Sequence, residues 1–292
     1  MHNFGDNTLS RIVYVNGEFV AEQDAVISVF DRGFLFADSV YEVSSVLEGK
    51  LIDNEAHLKR LRRSLSELSI DLPTSDDEIV RIQRELIERN DLTEGLVYLQ
   101  ATRGAAERDF PFPKGVTPGL VMFSQAKNIR NAPQAKEGIA VISIPDIRWK
   151  RRDIKTVGLL AQVLAKQAAL DAGAADAWMV EDGFITEGSS NNAFILDADG
   201  KLITRHLGNE ILPGITRASI LELVEKENIV LEERPFSLDE AFNAKEAFIT
   251  SASTFVWPVI KIDGHEIGDG TPGSLAPKLR EFYISNSLAR AV

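Results

Sequence analysis

Apolar and polar residues change rhythm several times along this chain, and each change marks an element. Residues 11–20 alternate on both sides of Asn16-Gly17, the pattern of a tight hairpin. Residues 40–52 repeat the device, with the turn at Glu48-Gly49-Lys50. The period then lengthens. Leu58, Leu61, Leu65 and Leu68 follow one another at helical spacing, so one apolar helix face is expected there. Residues 76–89 predict a second helix, with Thr74 or Ser75 as its N-cap and acids in its first turn. Strands are expected at 96–103 and 119–124.

A polar stretch from Lys127 to Gly138 interrupts the pattern and is the candidate domain boundary. The expected organisation is an N-terminal α/β domain over residues 1–126, a connector over 127–137, and a second domain over 138–292. The second part begins with a strand at 139–144 and a helix at 157–171 that Gly173 ends. A hairpin about Glu181-Asp182-Gly183 and a strand at 192–196 follow. Helices at 216–226 and 238–243, strands at 247–250 and 259–262, and a C-terminal helix complete the reading. Strands and helices mix without a regular βαβ beat, which favours an α+β fold over a doubly wound parallel sheet.

Composition narrows the function classes. Of 292 residues, 44% are hydrophobic and 26% charged, a balance that suits a soluble globular protein with a sizeable core. No apolar tract approaches the ~18 residues of a membrane helix, so no membrane partner is expected. The opening Met1-His2-Asn3-Phe4-Gly5-Asp6 lacks the basic-then-apolar order of an export signal. With no cysteine, disulfides, thiolate zinc sites and cysteine nucleophiles are excluded together, and a cytoplasmic setting is expected. A formal charge of −12 disfavours nucleic acid, whose phosphates it would repel.

Several common chemistries lack their residues. There is no glycine-rich dinucleotide fingerprint and no phosphate loop. His2, His57, His206 and His265 are far apart, without the paired spacing of a metal site. Ser189 and Ser190 are not in a nucleophile elbow. Three segments stand out. Lys155 ends the run Asp146-Ile147-Arg148-Trp149-Lys150-Arg151-Arg152-Asp153-Ile154, at the expected end of a strand and just before an apolar helix. An inward lysine there would be a desolvated nucleophile, whereas an outward one would be ion-paired. Thr186-Glu187-Gly188-Ser189-Ser190, expected between two strands, offers either a carboxylate for a protonated ring nitrogen or a hydrogen-bonded turn. Gly214-Ile215-Thr216 opens a helix whose free N–H groups suit a phosphate, unless Thr216 merely caps it. Arg60 belongs to a basic run that a solvated helix face would equally explain.

Taken in order, these segments resemble the fold-type IV pyridoxal-phosphate enzymes, most closely the D-amino acid aminotransferases. The resemblance runs from Asp31-Arg32-Gly33 and Val40-Tyr41-Glu42-Val43 through Thr250-Ser251 to Pro258-Val259-Ile260. It implies two α/β domains with pyridoxal 5'-phosphate between them, in a homodimer whose interface completes the site. It implies that Lys155 bonds the cofactor and moves the proton, that Glu187 keeps the pyridine nitrogen protonated, and that Arg60, Ile215 and Thr216 hold the phosphate. Ser251 and Ala252 match the turn closing the phosphate cup. The family's threonine is absent at Ala252, and Ser253 stands ready to compensate. The substrate α-carboxylate would meet Tyr41 and Arg108, with Phe110 where a histidine is expected. The implied reaction moves an amino group between a D-amino acid such as D-alanine and a 2-oxo acid such as 2-oxoglutarate or pyruvate. Branched-chain L-amino acid and (R)-amine transaminases, and the aminodeoxychorismate lyases, share the same cofactor set.

Overall fold

The computed structural model describes residues 10–292, so His2 and the N-terminal export reading lie outside the described residues. The first sheet is assembled from β1 (Ile12–Val15), β2 (Glu18–Ala21), β3 (Ser39–Leu47), β4 (Lys50–Leu51), β5 (Glu94–Thr102) and β6 (Gly119–Ala126). Its order is β2-β1-β6-β5-β3-β4, antiparallel throughout. A short α1 (Arg32–Phe36) precedes β3, and α2 (Asn54–Glu67) and α3 (Asp76–Arg89) are inserted between β4 and β5. Both hairpin turns follow from residue type. Asn16 and Gly17 have φ of 49° and 108°, and Glu48 and Gly49 have 54° and 72°, the left-handed pair that a two-residue turn needs.

Helix α3 starts as its sequence dictates: Ser75 Oγ accepts from the Glu78 N–H at 3.2 Å, and Asp76, Asp77 and Glu78 face the positive helix end. The leucine stripe of α2 (Leu58, Leu61, Leu65) packs with Ile79, Ile82 and Leu86 of α3 against Val40, Leu99 and Met122 of the sheet. Each such side chain taken fully from water contributes about 1.5–3 kcal/mol.

After α4 (Pro133–Glu137) the chain enters a second sheet. Its strands are β7 (Ile139–Pro145), β8 (Asp176–Glu181), β9 (Phe184–Gly188), β10 (Asn192–Leu196), β11 (Leu202–Thr204), β12 (Leu231–Glu233), β13 (Glu246–Ser251), β14 (Phe255–Ile262) and β15 (His265–Glu266). The order is β12-β11-β10-β13-β14-β7-β8-β9, with β15 on β14. Parallel pairs (β7 with β8 and β14, β11 with β12) sit among antiparallel ones, so the architecture is the expected α+β. Helices α5 (Leu160–Asp171), α6 (Ile215–Lys226), α7 (Leu238–Phe242) and α8 (Leu275–Ala289) cover it. No helix among the described residues is long and apolar enough to cross a membrane.

Two local expectations are corrected. The helix expected from residue 157 begins at Leu160, and β7 ends at Pro145, so Lys155 lies in a long segment between them rather than at a strand end. The second correction concerns Thr186 and Glu187, which lie within β9 rather than in a turn between strands.

That long segment joins the two sheets. Val40 and Thr156 form an isolated antiparallel bridge, the Tyr41 N–H donates to the Lys155 carbonyl at 3.0 Å, and Arg63 of α2 donates to the Asp153 carbonyl at 2.9 Å. The second sheet's chain therefore docks as an extra edge beside β3. Side chains from both sheets are brought to one place.

Candidate active site

A cavity of about 280 Å³ opens at this junction. Lys155 reaches it from the crossing segment, Tyr41 from β3, Arg60 from α2, Glu187 from β9, Thr216 from α6 and Ser251 from β13. These side chains are far apart in sequence and share one wall only because the crossing segment pairs with β3. The Lys155 ammonium lies 4.2 Å from the centre of the Tyr41 ring. Tyr41 in turn stacks on Tyr98, and Tyr98 on Phe123, which fixes the ring from behind.

Glu187 is buried, and each of its contacts comes from a donor. Arg148 Nη1 and Asn192 Nδ2 (2.9 Å) reach the carboxylate, as does the Leu212 N–H at 3.2 Å. Burial pushes its pKa up, and the Arg148 charge offsets only part of that rise. A carboxylate in this state interacts strongly with any protonated nitrogen placed beside it. Arg148 is itself held by Asp146 through Nε at 3.0 Å and Nη2 at 2.6 Å.

The opposite corner is built for an anion. Helix α6 begins at Gly214 with no side chain capping it, so the N–H groups of its first turn are unclaimed. Capping by Thr216 is thereby corrected: its hydroxyl is buried without a hydrogen-bond partner, like that of Thr250, and both line the cavity. A Cβ at position 214 would come within 2.0 Å of Asn192 Oδ1, so only glycine lets the helix start this close to β10. The turn after Ser251 is tied to the first sheet by Ser45 Oγ, which donates to the Ala252 carbonyl. Ser253 Oγ lies 3.4 Å from Ser251 Oγ, at the edge of the same turn.

Arg60 is not a solvated helix residue. It is 8% exposed, and its Nε and Nη2 donate to Glu42 at 2.7 and 2.8 Å while Nη1 donates to the Pro213 carbonyl at 2.8 Å. His57, three residues before it on the same helix face, shares that carboxylate through Nδ1 at 2.8 Å. A carboxylate only accepts, so Nδ1 carries the hydrogen. Burial would raise Glu42, but the charge and bonds of Arg60, with His57, hold it at about 2. Burial also lowers the His57 pKa, against the pull of Glu42.

Two sequence-identified residues do not reach the cavity in this chain. Arg108 is exposed and lies against the rings of Phe36 and Phe110, at 5.2 and 5.9 Å, and Phe110 is 75% exposed. Their loop is fastened by Arg32, which donates to the carbonyls of Asp109 (2.6 Å) and Phe110 (3.2 Å). Sequence reading assigns no role to Glu42, His57, Arg148 or Asn192, although Glu42 and Arg148 stand in the segments it quotes. A helical pair, His57 and Arg60, beside a leucine stripe was the available signal.

A model of the family Amino-transferase class IV matches residues 39–262, a span that takes in Tyr41, Arg60, Lys155, Glu187 and Thr216. The chain belongs to the class IV aminotransferases. Among its relatives, this class IV aminotransferase is 39% identical to the D-alanine aminotransferase of Staphylococcus aureus (strain MSSA476) over 272 residues, 93% of this chain and 96% of that one. It is 36% identical to the D-alanine aminotransferase of Bacillus licheniformis, covering 94% of this chain and 96% of that one. Among solved structures it is similar to a T.th. branched-chain amino acid aminotransferase with pyridoxamine 5'-phosphate. That match has a TM-score of 0.88 and 25% identity, and covers 97% of this chain and 95% of that one. The fold is also that of the Escherichia coli branched-chain amino acid aminotransferase, with a TM-score of 0.86, 23% identity, and 96% and 95% of the two chains covered.

The family depends on pyridoxal phosphate, and the donor set in this class IV aminotransferase fits that group. Two orphaned hydroxyls, an uncapped helix start and the unused guanidinium donors of Arg60 suit a phosphate. A buried carboxylate suits a protonated pyridine nitrogen, and a lysine stands on the same cavity wall.

Proposed function

We propose that this enzyme transfers the amino group of a D-amino acid such as D-alanine to a 2-oxo acid such as 2-oxoglutarate or pyruvate, with pyridoxal 5'-phosphate as cofactor. One observation carries the reading. Lys155, Glu187, Arg60 and the α6 start meet in one cavity of a chain that matches D-alanine aminotransferases over 93% of its length. When bound, the cofactor supplies an electron sink for the substrate carbon. The chain's own residues do the rest. Lys155 holds the cofactor covalently and moves the proton at its Nζ, with the Tyr41 ring beside it. Glu187 keeps the ring nitrogen charged. Arg60, Ile215, Thr216, Ser251 and Ala252 form the phosphate cup, and Glu42 fixes the angle of Arg60.

Arg108 and Phe110 enter through a second copy. Their loop carries exposed Phe110 and Phe112 and is joined to the segment bearing exposed Phe30 and Phe34 by the Asp31–Ala105 bridge. Neighbouring exposed aromatics on zipped loops form the sort of patch that a partner covers. A homodimer would bury this patch and carry Arg108 to the partner's cavity, where it and Tyr41 would take the substrate carboxylate. The division at residues 127–137 and a cytoplasmic setting, supported by the lack of cysteine, belong to the same proposal.

The test is a donor panel with both enantiomers of alanine and of branched-chain amino acids, with 2-oxoglutarate or pyruvate as acceptor. Preference for D-donors supports the reading. Preference for L-donors would favour the branched-chain alternative, and pyruvate release without an acceptor would favour a lyase. Borohydride reduction and peptide mapping should place the cofactor on Lys155.

A further inference from the structure

The cavity wall carries the cationic side chains of Arg60, Lys127, Arg148, Arg152 and Lys155. Four of them have a use. Arg60 is held by Glu42, Arg148 by Asp146 and Glu187, and Arg152 by Glu181 at 2.7 Å; Lys155 is the cofactor lysine. Lys127 is left over. Its ammonium makes no hydrogen bond or ion pair among the described residues, although it is partly withdrawn from water.

No carboxylate among the described residues pairs with its ammonium: the nearby Asp176 is taken by Lys166, and the Glu94 carboxylate by the N–H groups of Ile129 and Arg130. Burial lowers its pKa, and the charge that adds to this is another cation, Lys166 of α5. Lys166 is already engaged by the Ala175 carbonyl at 2.7 Å and by Asp176 at 3.2 Å. A cation held partly desolvated without a counter-ion lowers stability unless something anionic arrives. One turn before Lys166, Gln162 lines the same cavity with its Oε1 buried and unpartnered. An amide can rotate to present its NH2 instead.

The neighbours indicate the shape of the anion. The Lys127 N–H donates to the Glu94 carbonyl at 3.2 Å, which sets Lys127 beside the start of β5. Leu96 of β5 and Val43 of β3 line the cavity on this side. Ser45, paired with Leu96, bonds Ala252 in the turn that also carries Ser253. A short apolar wall leading to an unpaired ammonium matches a methylene chain ending in a carboxylate.

We infer that Lys127 is a specificity-determining residue that binds the distal carboxylate of dicarboxylic substrates, 2-oxoglutarate and its D-amino acid counterpart. This rests on the transaminase reading above. The holoenzymes of the wild type, K127Q and K127R are compared with 2-oxoglutarate and with pyruvate as acceptors. Glutarate and acetate serve as unreactive ligands, followed through the cofactor absorbance.

In K127Q, the KM for 2-oxoglutarate and the Kd for glutarate rise about tenfold or more, the usual range for a lost charged hydrogen bond. The values for pyruvate and acetate, and the cofactor affinity, stay within about twofold, and K127R recovers most of the loss. Equal losses with both acceptors, weakened cofactor binding, or failure of the wild type to bind glutarate would overturn the assignment. If the wild type transfers no amino group from any D-donor, the D-amino acid reading fails instead. Glutarate binding still decides whether Lys127 forms the anion site.

Discussion

Glu42 holds Arg60 through two parallel hydrogen bonds of 2.7 and 2.8 Å, and neither side chain is more than 8% exposed. The geometry is the fork-to-fork pairing that leaves a guanidinium no freedom to turn. The proposed phosphate ligand is thus aimed before any phosphate arrives, and His57 Nδ1 adds a third hydrogen bond to the same carboxylate, at Oε2. Strand β3 contributes both Tyr41 and Glu42. The alternation of the strand directs one toward the cavity wall with Lys155 and the other into the helix beneath.

Breaking that pair has a measurable cost. Glu42→Gln strands a buried guanidinium and lowers stability by about 3 kcal/mol or more, with weaker cofactor retention. The pH dependence follows from the depressed carboxyl. Glu42 titrates at about 2 in the fold against 4.5 unperturbed, so its contribution is complete above about pH 4.5 and is lost as pH falls toward 2. Urea unfolding of wild type and variant should show a gap that is widest near neutrality and narrows between pH 4.5 and 2.

Lys155→Ala separates chemistry from folding. The Lys155 backbone carbonyl, not its side chain, accepts from Tyr41 and joins the sheets. The side chain adds only its contact with the Tyr41 ring, worth about 0.5–2 kcal/mol. The variant should unfold at nearly the wild-type urea concentration. Its amino transfer should fall by about 10²–10⁴-fold from the loss of the proton-transferring amine alone, with no borohydride-fixed cofactor.

The elements governed by short-range rules were legible. The turns at Asn16-Gly17 and Glu48-Gly49, the Ser75 cap and the leucine stripe of α2 each follow from neighbouring residues. The position of Lys155 was not, because the segment after Pro145 owes its course to a bridge with Val40, more than a hundred residues earlier. Glu42 and His57 also meet only when α2 packs on β3, and nothing in either local pattern announces it. The resemblance placed Lys155, Glu187 and Thr216 in one site. It could not show that Arg108 and Phe110 lie outside that cavity in their own chain, since a motif records order along a chain and not which copy it serves.

Glu187→Gln tests the buried carboxylate. With its oxygen at the Oε2 position the amide still accepts from Asn192 and Leu212, but its NH2 then faces the Arg148 Nη1 donor, so Arg148 keeps only Asp146 as a charged partner and some stability is lost. Removing a preorganised charge beside a reacting ring lowers kcat by about 10²–10³-fold. The cofactor should still attach to Lys155, so borohydride labelling remains while turnover falls. A labelled and fully active variant would show that the ring nitrogen does not depend on this residue.

Phe110→His tests the carboxylate trap in the proposed dimer. Phe110 is mostly exposed, and its backbone is fixed by Arg32, so an imidazole there changes the loop's chemistry without moving its course. If a second copy brings this loop over the cavity, the new donor joins Arg108 at the substrate α-carboxylate. A charge-assisted hydrogen bond adds about 1.5–3 kcal/mol, so KM for D-alanine should fall about tenfold or more, with kcat little changed. Phe110→Asp works in the opposite sense, placing charge in an apolar contact and repelling the carboxylate. Sedimentation should then show more monomer at low concentration, with activity falling in parallel. A fully active monomer of either variant would mean that each chain binds the carboxylate with its own residues, and that Arg108 has no part in it.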